Sequence, residues 1–100
     1  MTVYVGQDVK VVLVATNPDG SAAQPAGVRF RLKPPTGDTT SHVLGIDEQV
    51  SEEEEGLEYA FTFDASVRGK YIVRAETLDA GGGVVGVDEL TIIVSASKVV

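Results

Sequence analysis

The chain has no cysteine and no tryptophan, a single histidine, a single methionine and only eight Lys and Arg among its 100 residues. Without cysteine there are no disulfides and no thiolate metal sites, which is neutral to mildly favourable for folding inside a cell. With His42 as the one histidine, a Ser-His-Asp arrangement has a single candidate base, and Asp47 is an acid within reach in sequence. A lone histidine on a polar strand reads as a surface residue, so catalysis is not expected. No apolar run comes near the roughly 20 residues of a spanning helix, and a soluble chain is expected. The opening MTVYVGQD has neither the basic region nor the apolar segment of a signal peptide and reads as the start of a strand. Helix formers do not gather into amphipathic runs; β-branched residues, valine above all, dominate instead.

What is present is ordinary globular composition, 43% hydrophobic and 23% charged. One hundred residues make one domain with a real core, expected over residues 1–95 with a short tail at 96–100. The net charge of −7 is concentrated. Lys10, Arg29, Arg31 and Lys33 outweigh Asp8, Asp19 and Asp38 before residue 47, while residues 47–58 carry Asp47, Glu48, Glu52, Glu53, Glu54, Glu55 and Glu58 with no cation. Such a chain is repelled by bulk nucleic acid and by anionic lipid, so neither is expected as a partner.

Period-two alternation organises the chain. Leu57, Tyr59, Phe61 and Phe63 alternate with Glu58, Ala60 and Thr62; Tyr71, Val73 and Ala75 alternate with Lys70, Ile72, Arg74 and Glu76. Before this central pair, residues 2–5 and 9–16 read as strands. Val9, Val11, Leu13 and Ala15 lie on one face of the second, and Val12 and Val14 on its other face are expected to be covered by the chain itself. The turn Asn17-Pro18-Asp19-Gly20 follows. Val28, Phe30 and Leu32 then point inward and Arg29, Arg31 and Lys33 outward, ended by Pro34 and Pro35, which cannot donate to a ladder. A polar edge strand follows at residues 39–44. Residues 46–56 read as an acidic connection anchored by Val50. Asp79 to Gly83 reads as a hairpin loop before a last strand at residues 87–94 with Leu90, Ile92 and Val94 on one face. Seven strands without a helix predict an all-β, immunoglobulin-like Greek-key sandwich.

Val3-x-Val5-Gly6-x-x-Val9-x-Val11-x-Leu13 resembles the opening strands of immunoglobulin-like domains, and Asp64, Gly69, Tyr71 and Val73 resemble their D…G-x-Y-x-C corner. The resemblance implies that Leu13 and Val73 stand where antibody domains hold their inter-sheet cysteines, and Phe30 where they hold the buried tryptophan. Tyr71 is then either a tyrosine corner, its hydroxyl bonding nearby backbone, or simply a core aromatic. More specifically, G-x-x-V-x-V…NPDG…V-x-F-x-L-K-P-P-T-G-D…G-K-Y-x-V-R-A resembles small immunoglobulin-like accessory proteins of tailed bacteriophages, found as head decoration or on the tail. The resemblance covers nearly the whole chain through loose motifs. It implies a location on the virion, assembled in the host cytoplasm, and a capsid or tail protein as partner.

Candidate sites are few. Contiguous Glu52, Glu53, Glu54 and Glu55 are oxygen ligands of the kind calcium uses, but the D-x-D-x-D-G spacing is missing, and no metal or other cofactor is expected. Gly81-Gly82-Gly83 lacks the lysine, the Ser or Thr and the helix of a phosphate loop. Arg29, Arg31 and Lys33, joined by Arg74, form a positive row that serves either as the polar side of a half-buried strand or as a docking surface. The expected function is non-enzymatic attachment to a larger assembly, through this row, the acidic stretch and a free edge strand, with self-association as a further possibility. Reversing Arg29 and Arg31 to glutamate is expected to abolish assembly and leave the fold intact. The alternative is a carbohydrate- or calcium-dependent binding module of a bacterial surface or secreted protein, against which stands the scarcity of outward aromatics: only Tyr4 looks free.

Overall fold

Alternating apolar and polar residues form strands throughout residues 3–96, the part of the chain that the computed structural model describes. In chain order these are β1 (Val3–Tyr4), β2 (Asp8–Val14), β3 (Gly27–Lys33), β4 (Thr40–Val43), β5 (Val50–Glu54), β6 (Glu58–Asp64), β7 (Gly69–Leu78) and β8 (Val84–Ser95). Five strands make one sheet in the order β1-β8-β7-β3-β4, and three make the other in the order β2-β6-β5. The fold is all-β and sandwich-like, with extents of 47 × 26 × 22 Å. All neighbours are antiparallel except β1, which runs parallel to the end of β8 at Val94 and Ser95.

The core lies where the inward halves of the alternation meet. Phe30 from β3 stacks on Phe61 from β6 with ring centroids 5.4 Å apart. Phe61 stacks on Phe63 at 5.6 Å, and Phe63 meets Tyr71 at 5.4 Å. Val28, Val73, Val9, Val11, Val50 and Val94 fill the space around this ladder and are buried. Each large side chain buried this way stabilises the fold by about 1.5–3 kcal/mol, and well-oriented ring pairs add about 0.5–1.5 kcal/mol. Leu13 is half-buried against this core, while Phe30 and Val73 are fully enclosed.

Tyr71 is both a core aromatic and a corner pin. Its ring is buried, and its hydroxyl donates to the Val67 carbonyl at 2.6 Å and accepts from the Val67 N–H at 3.1 Å. The bond fixes the turn between β6 and β7. Gly69, two residues before it, has φ of +132°, and a Cβ there would sit 2.8 Å from Cβ of Pro35. Only glycine suits that backbone and that approach.

Several expectations are corrected. The described residues hold eight strands rather than seven, because the acidic connection contains β5. Only Val50 of that strand is buried, and a register shift between Glu52 and Glu54 interrupts it, so no apolar alternation announces it. Val12 and Val14 are exposed rather than covered. The chain after β2 instead bonds to the end of that strand and to the β5–β6 turn: Ala23 N–H donates to the Ala15 carbonyl and Gln24 N–H to the Gly56 carbonyl. β8 starts at Val84, three residues early, beyond a register shift opposite Thr77 and Leu78. Leu90 takes the inward side of β8 yet is 49% exposed. It lines the open seam between β8 and β2 rather than the closed core. Thr2 of the expected first strand and residues 97–100 of the expected tail lie outside the described residues.

Candidate functional site

The register between β3 and β7 brings four charged side chains together, three guanidinium groups around one carboxylate. Arg29 stands opposite Glu76, Arg31 opposite Arg74 and Lys33 opposite Ile72, all on the outer face of the larger sheet. Two arginines directly opposed would repel. Glu76 resolves this by binding three guanidinium groups: Oε1 accepts from Nε of Arg29 at 2.6 Å and Nε of Arg31 at 3.0 Å, and Oε2 lies 3.2 Å from Nε of Arg74. The Glu76 side chain is only 3% exposed. Burial pushes its carboxyl up, but the hydrogen bonds and charges of Arg29 and Arg31 outweigh that, and the group is held below its ordinary value of 4.5.

The three arginines are not equivalent. The Arg29 side chain is 22% exposed, whereas Arg31 and Arg74 are 43% and 46% exposed. Arg29 therefore belongs to the fold, and the other two present their outer edges to solvent. One carboxylate cannot neutralise three guanidinium groups; with Lys33 adding a charge beside them and Glu89, opposite Arg74, removing one, the cluster keeps two positive charges. Arg31, Lys33, Arg74, Thr39, Ile72 and Glu89 line a shallow groove of about 340 Å³. Chemically it suits carboxylates or phosphates, which guanidinium groups bind bidentately. The expectation that reversing Arg29 and Arg31 spares the fold is thus replaced. Either reversal sets a second carboxylate against Glu76.

Glu76 was missed in the sequence. It alternates with Arg74 on the outward side of its strand, an ordinary pattern, and only the pairing of β3 with β7 shows that two further arginines reach it.

The acidic residues are not brought to this row. Glu52, Glu53, Glu54 and Glu55 are exposed along and just beyond β5, on the edge of the other sheet. Glu53 pairs with Lys10 at 2.7 Å; the hydrogen bond and then the charge of that lysine lower its pKa. Glu52 accepts from the Gly56 N–H at 2.9 Å, and burial followed by the Glu52 charge raises the pKa of the enclosed Tyr59 hydroxyl. Among the described residues no three of His, Asp and Glu are placed to hold a metal ion. In the glycine-rich loop, the Asp79 carboxylate itself accepts from the N–H groups of Gly81 and Gly83.

His42 is not the surface residue its strand led one to expect. It lies opposite Phe30 on the inward side of β4, and its ring packs 4.8 Å from that of Phe61. Nε2 is 2.8 Å from the Thr40 hydroxyl, and Nδ1 is 3.8 Å from Asp47 Oδ1. Hydroxyl, imidazole and carboxylate follow one another as in a catalytic triad, but 3.8 Å is too long for the orienting hydrogen bond. The other Asp47 oxygen accepts from the Val43 N–H at 2.8 Å, so that carboxylate caps the turn after β4.

Comparison of the chain with protein families, with curated proteins and with solved structures finds no match.

Proposed function

We propose that this chain is a non-enzymatic, immunoglobulin-like structural module that attaches to a large assembly, a phage capsid or tail, through the cationic outer face of its larger sheet. The observation that carries the reading is the arginine cluster on Glu76. A buried carboxylate holds three guanidinium groups in fixed positions and leaves them with excess positive charge on a chain whose overall charge is −7. Pre-positioned charge of this kind lowers the ordering cost of docking, and repetition over a lattice makes many weak contacts effective together. The partner face is acidic: a surface of the assembly rich in Asp and Glu, or the β5 edge of a neighbouring copy.

Three features support the immunoglobulin-like part. The strand order, with β1, β8, β7, β3 and β4 as neighbours in one sheet and β2, β6 and β5 in the other, suits the Greek-key pattern of those domains. The Tyr71 hydroxyl bonds backbone four residues upstream, as a tyrosine corner does. Phe30 occupies the centre of the core.

The test keeps Arg29 and Glu76 untouched. Lys33→Glu combined with Arg74→Gln removes two positive charges from the groove and adds a negative one, lowering its charge by three. With the thermal transition retained, co-sedimentation with tailed-phage particles from the native host should fall at least about tenfold. Undiminished co-sedimentation of the folded variant would contradict the reading.

A further inference from the structure

The sheet edges are not alike. β5 ends one sheet with a row of glutamates, and β4 ends the other after only four residues. Charge and shortness make both poor templates for another strand. On the opposite side lie β2, seven residues, and β8, twelve residues. Among the described residues β2 pairs only with β6, and the outer edge of β8 pairs only at Val94 and Ser95.

The backbone of β8 can be oriented. Val5 N–H donates to the Ser95 carbonyl at 3.0 Å, so odd-numbered residues turn their backbone groups away from β7. The register from Gly86 to Val94 is regular. Val87, Glu89 and Thr91 therefore aim N–H and C=O off the edge. The Glu89 N–H has a local partner, Asp88 Oδ1, at 3.0 Å. Around them Val87, Leu90 and Ile93 are 51%, 49% and 61% exposed, and Val12 and Val14 are exposed on β2 nearby. Open grooves of about 250 and 360 Å³ follow the seam between the two strands, with Leu90 lining both. The charges nearest the free edge here are Asp88 and Glu89. Lys10 is held by Glu53, and Arg74, which faces Glu89 in register, is bound to Glu76.

We propose that β8 accepts an added strand from a partner protein: an extended segment with two adjacent basic residues flanked by apolar β-formers. Main-chain hydrogen bonds to Val87, Glu89 and Thr91 supply the pairing. The two basic side chains fall on opposite faces of the extended sheet, one beside Asp88 and one beside Glu89, and the apolar residues cover Val87, Leu90 and Ile93. Charge decides against a second copy as occupant. Each copy carries −7, and antiparallel self-pairing centred on residue 88 or 89 opposes like carboxylates.

The probe is an acetylated, amidated peptide, Val-Thr-Val-Lys-Lys-Val-Thr-Val, which reads alike in both directions; its control carries Glu-Glu at the centre. Both are titrated into the isotope-labelled full chain. The lysine peptide should bind saturably and slow amide exchange at Val87, Glu89 and Thr91 at least about tenfold, and the control should not. Thr91→Pro deletes only a donor aimed off the edge, so it should fold and lose binding about tenfold or more. Asp88→Lys with Glu89→Lys should transfer binding to the control peptide, and carries the test should the proline variant not fold. Failure of the lysine peptide to bind, equal binding of both peptides, or binding that leaves those amides unprotected would overturn the proposal. So would a dimer of the chain alone that the peptide dissociates, since the occupant would then be a second copy.

Discussion

Glu76→Gln keeps the shape of the side chain and removes its charge. The guanidinium groups stay charged but lose their anionic acceptor, so three ion-pair contacts, at 2.6, 3.0 and 3.2 Å, weaken or are lost. Replacing an ionised acceptor by a neutral one weakens each such bond by roughly 1 kcal/mol. That full difference applies to Arg29, which is largely buried. For Arg31 and Arg74, each more than a third exposed, solvent screening reduces it to about half. The sum is about 2 kcal/mol, with mutual repulsion of the arginines adding to it. In urea, with a slope of about 1–1.5 kcal/mol per molar for a domain this size, the midpoint should fall by about 1.3–2 M. The pH dependence gives an independent check. The folded pKa of Glu76 is lowered, so its contribution is complete above its ordinary value of 4.5 and is lost as pH falls through the folded value. The difference between the parent and Glu76→Gln should therefore be full at pH 7 and shrink progressively below 4.5. Equal midpoints at pH 7 would refute the cluster as a stabilising unit; a difference unchanged in strong acid would refute its electrostatic origin.

Two further predictions concern the corner between β6 and β7. Tyr71→Phe keeps the buried ring but deletes both bonds to Val67, and should cost about 1–2 kcal/mol, a fall of roughly 5–10 °C in the melting temperature by calorimetry. A melt unchanged within error would mean that the hydroxyl bond is immaterial. Gly69→Ala places a methyl 2.8 Å from Pro35 at positive φ and should destabilise by about 1–3 kcal/mol in chemical denaturation; a neutral result would show that the Pro35 turn yields freely.

The strands with strict alternation were legible in the sequence: β2, β3, β6 and β7 follow from valines and aromatics at every second residue. So were the turns at Asn17 to Gly20, Pro34 to Asp38 and Asp79 to Gly83. β5 was not, because a charged edge strand with one buried residue carries no periodic signal. The positive row was legible residue by residue, including Arg74, but its meaning was not. Whether Arg29 is a surface cation or the partner of a buried acid depends on which residue stands across from it, and cross-strand register is not written in a single strand. The exposure of Leu90 likewise depends on how β8 meets β2 across an open seam, a property of the assembled topology. Val12 and Val14, by contrast, lie on the outer face of β2, as their alternation with Val11 and Leu13 indicates.

The central claim, that the domain works attached to a large particle, is tested most directly by density-gradient sedimentation of a lysate of the native host, with the chain detected in every fraction. The account predicts that it migrates with very large particles and leaves them as salt is raised, because charged contacts hold it there. Recovery solely among light soluble or envelope fractions at low salt would contradict it.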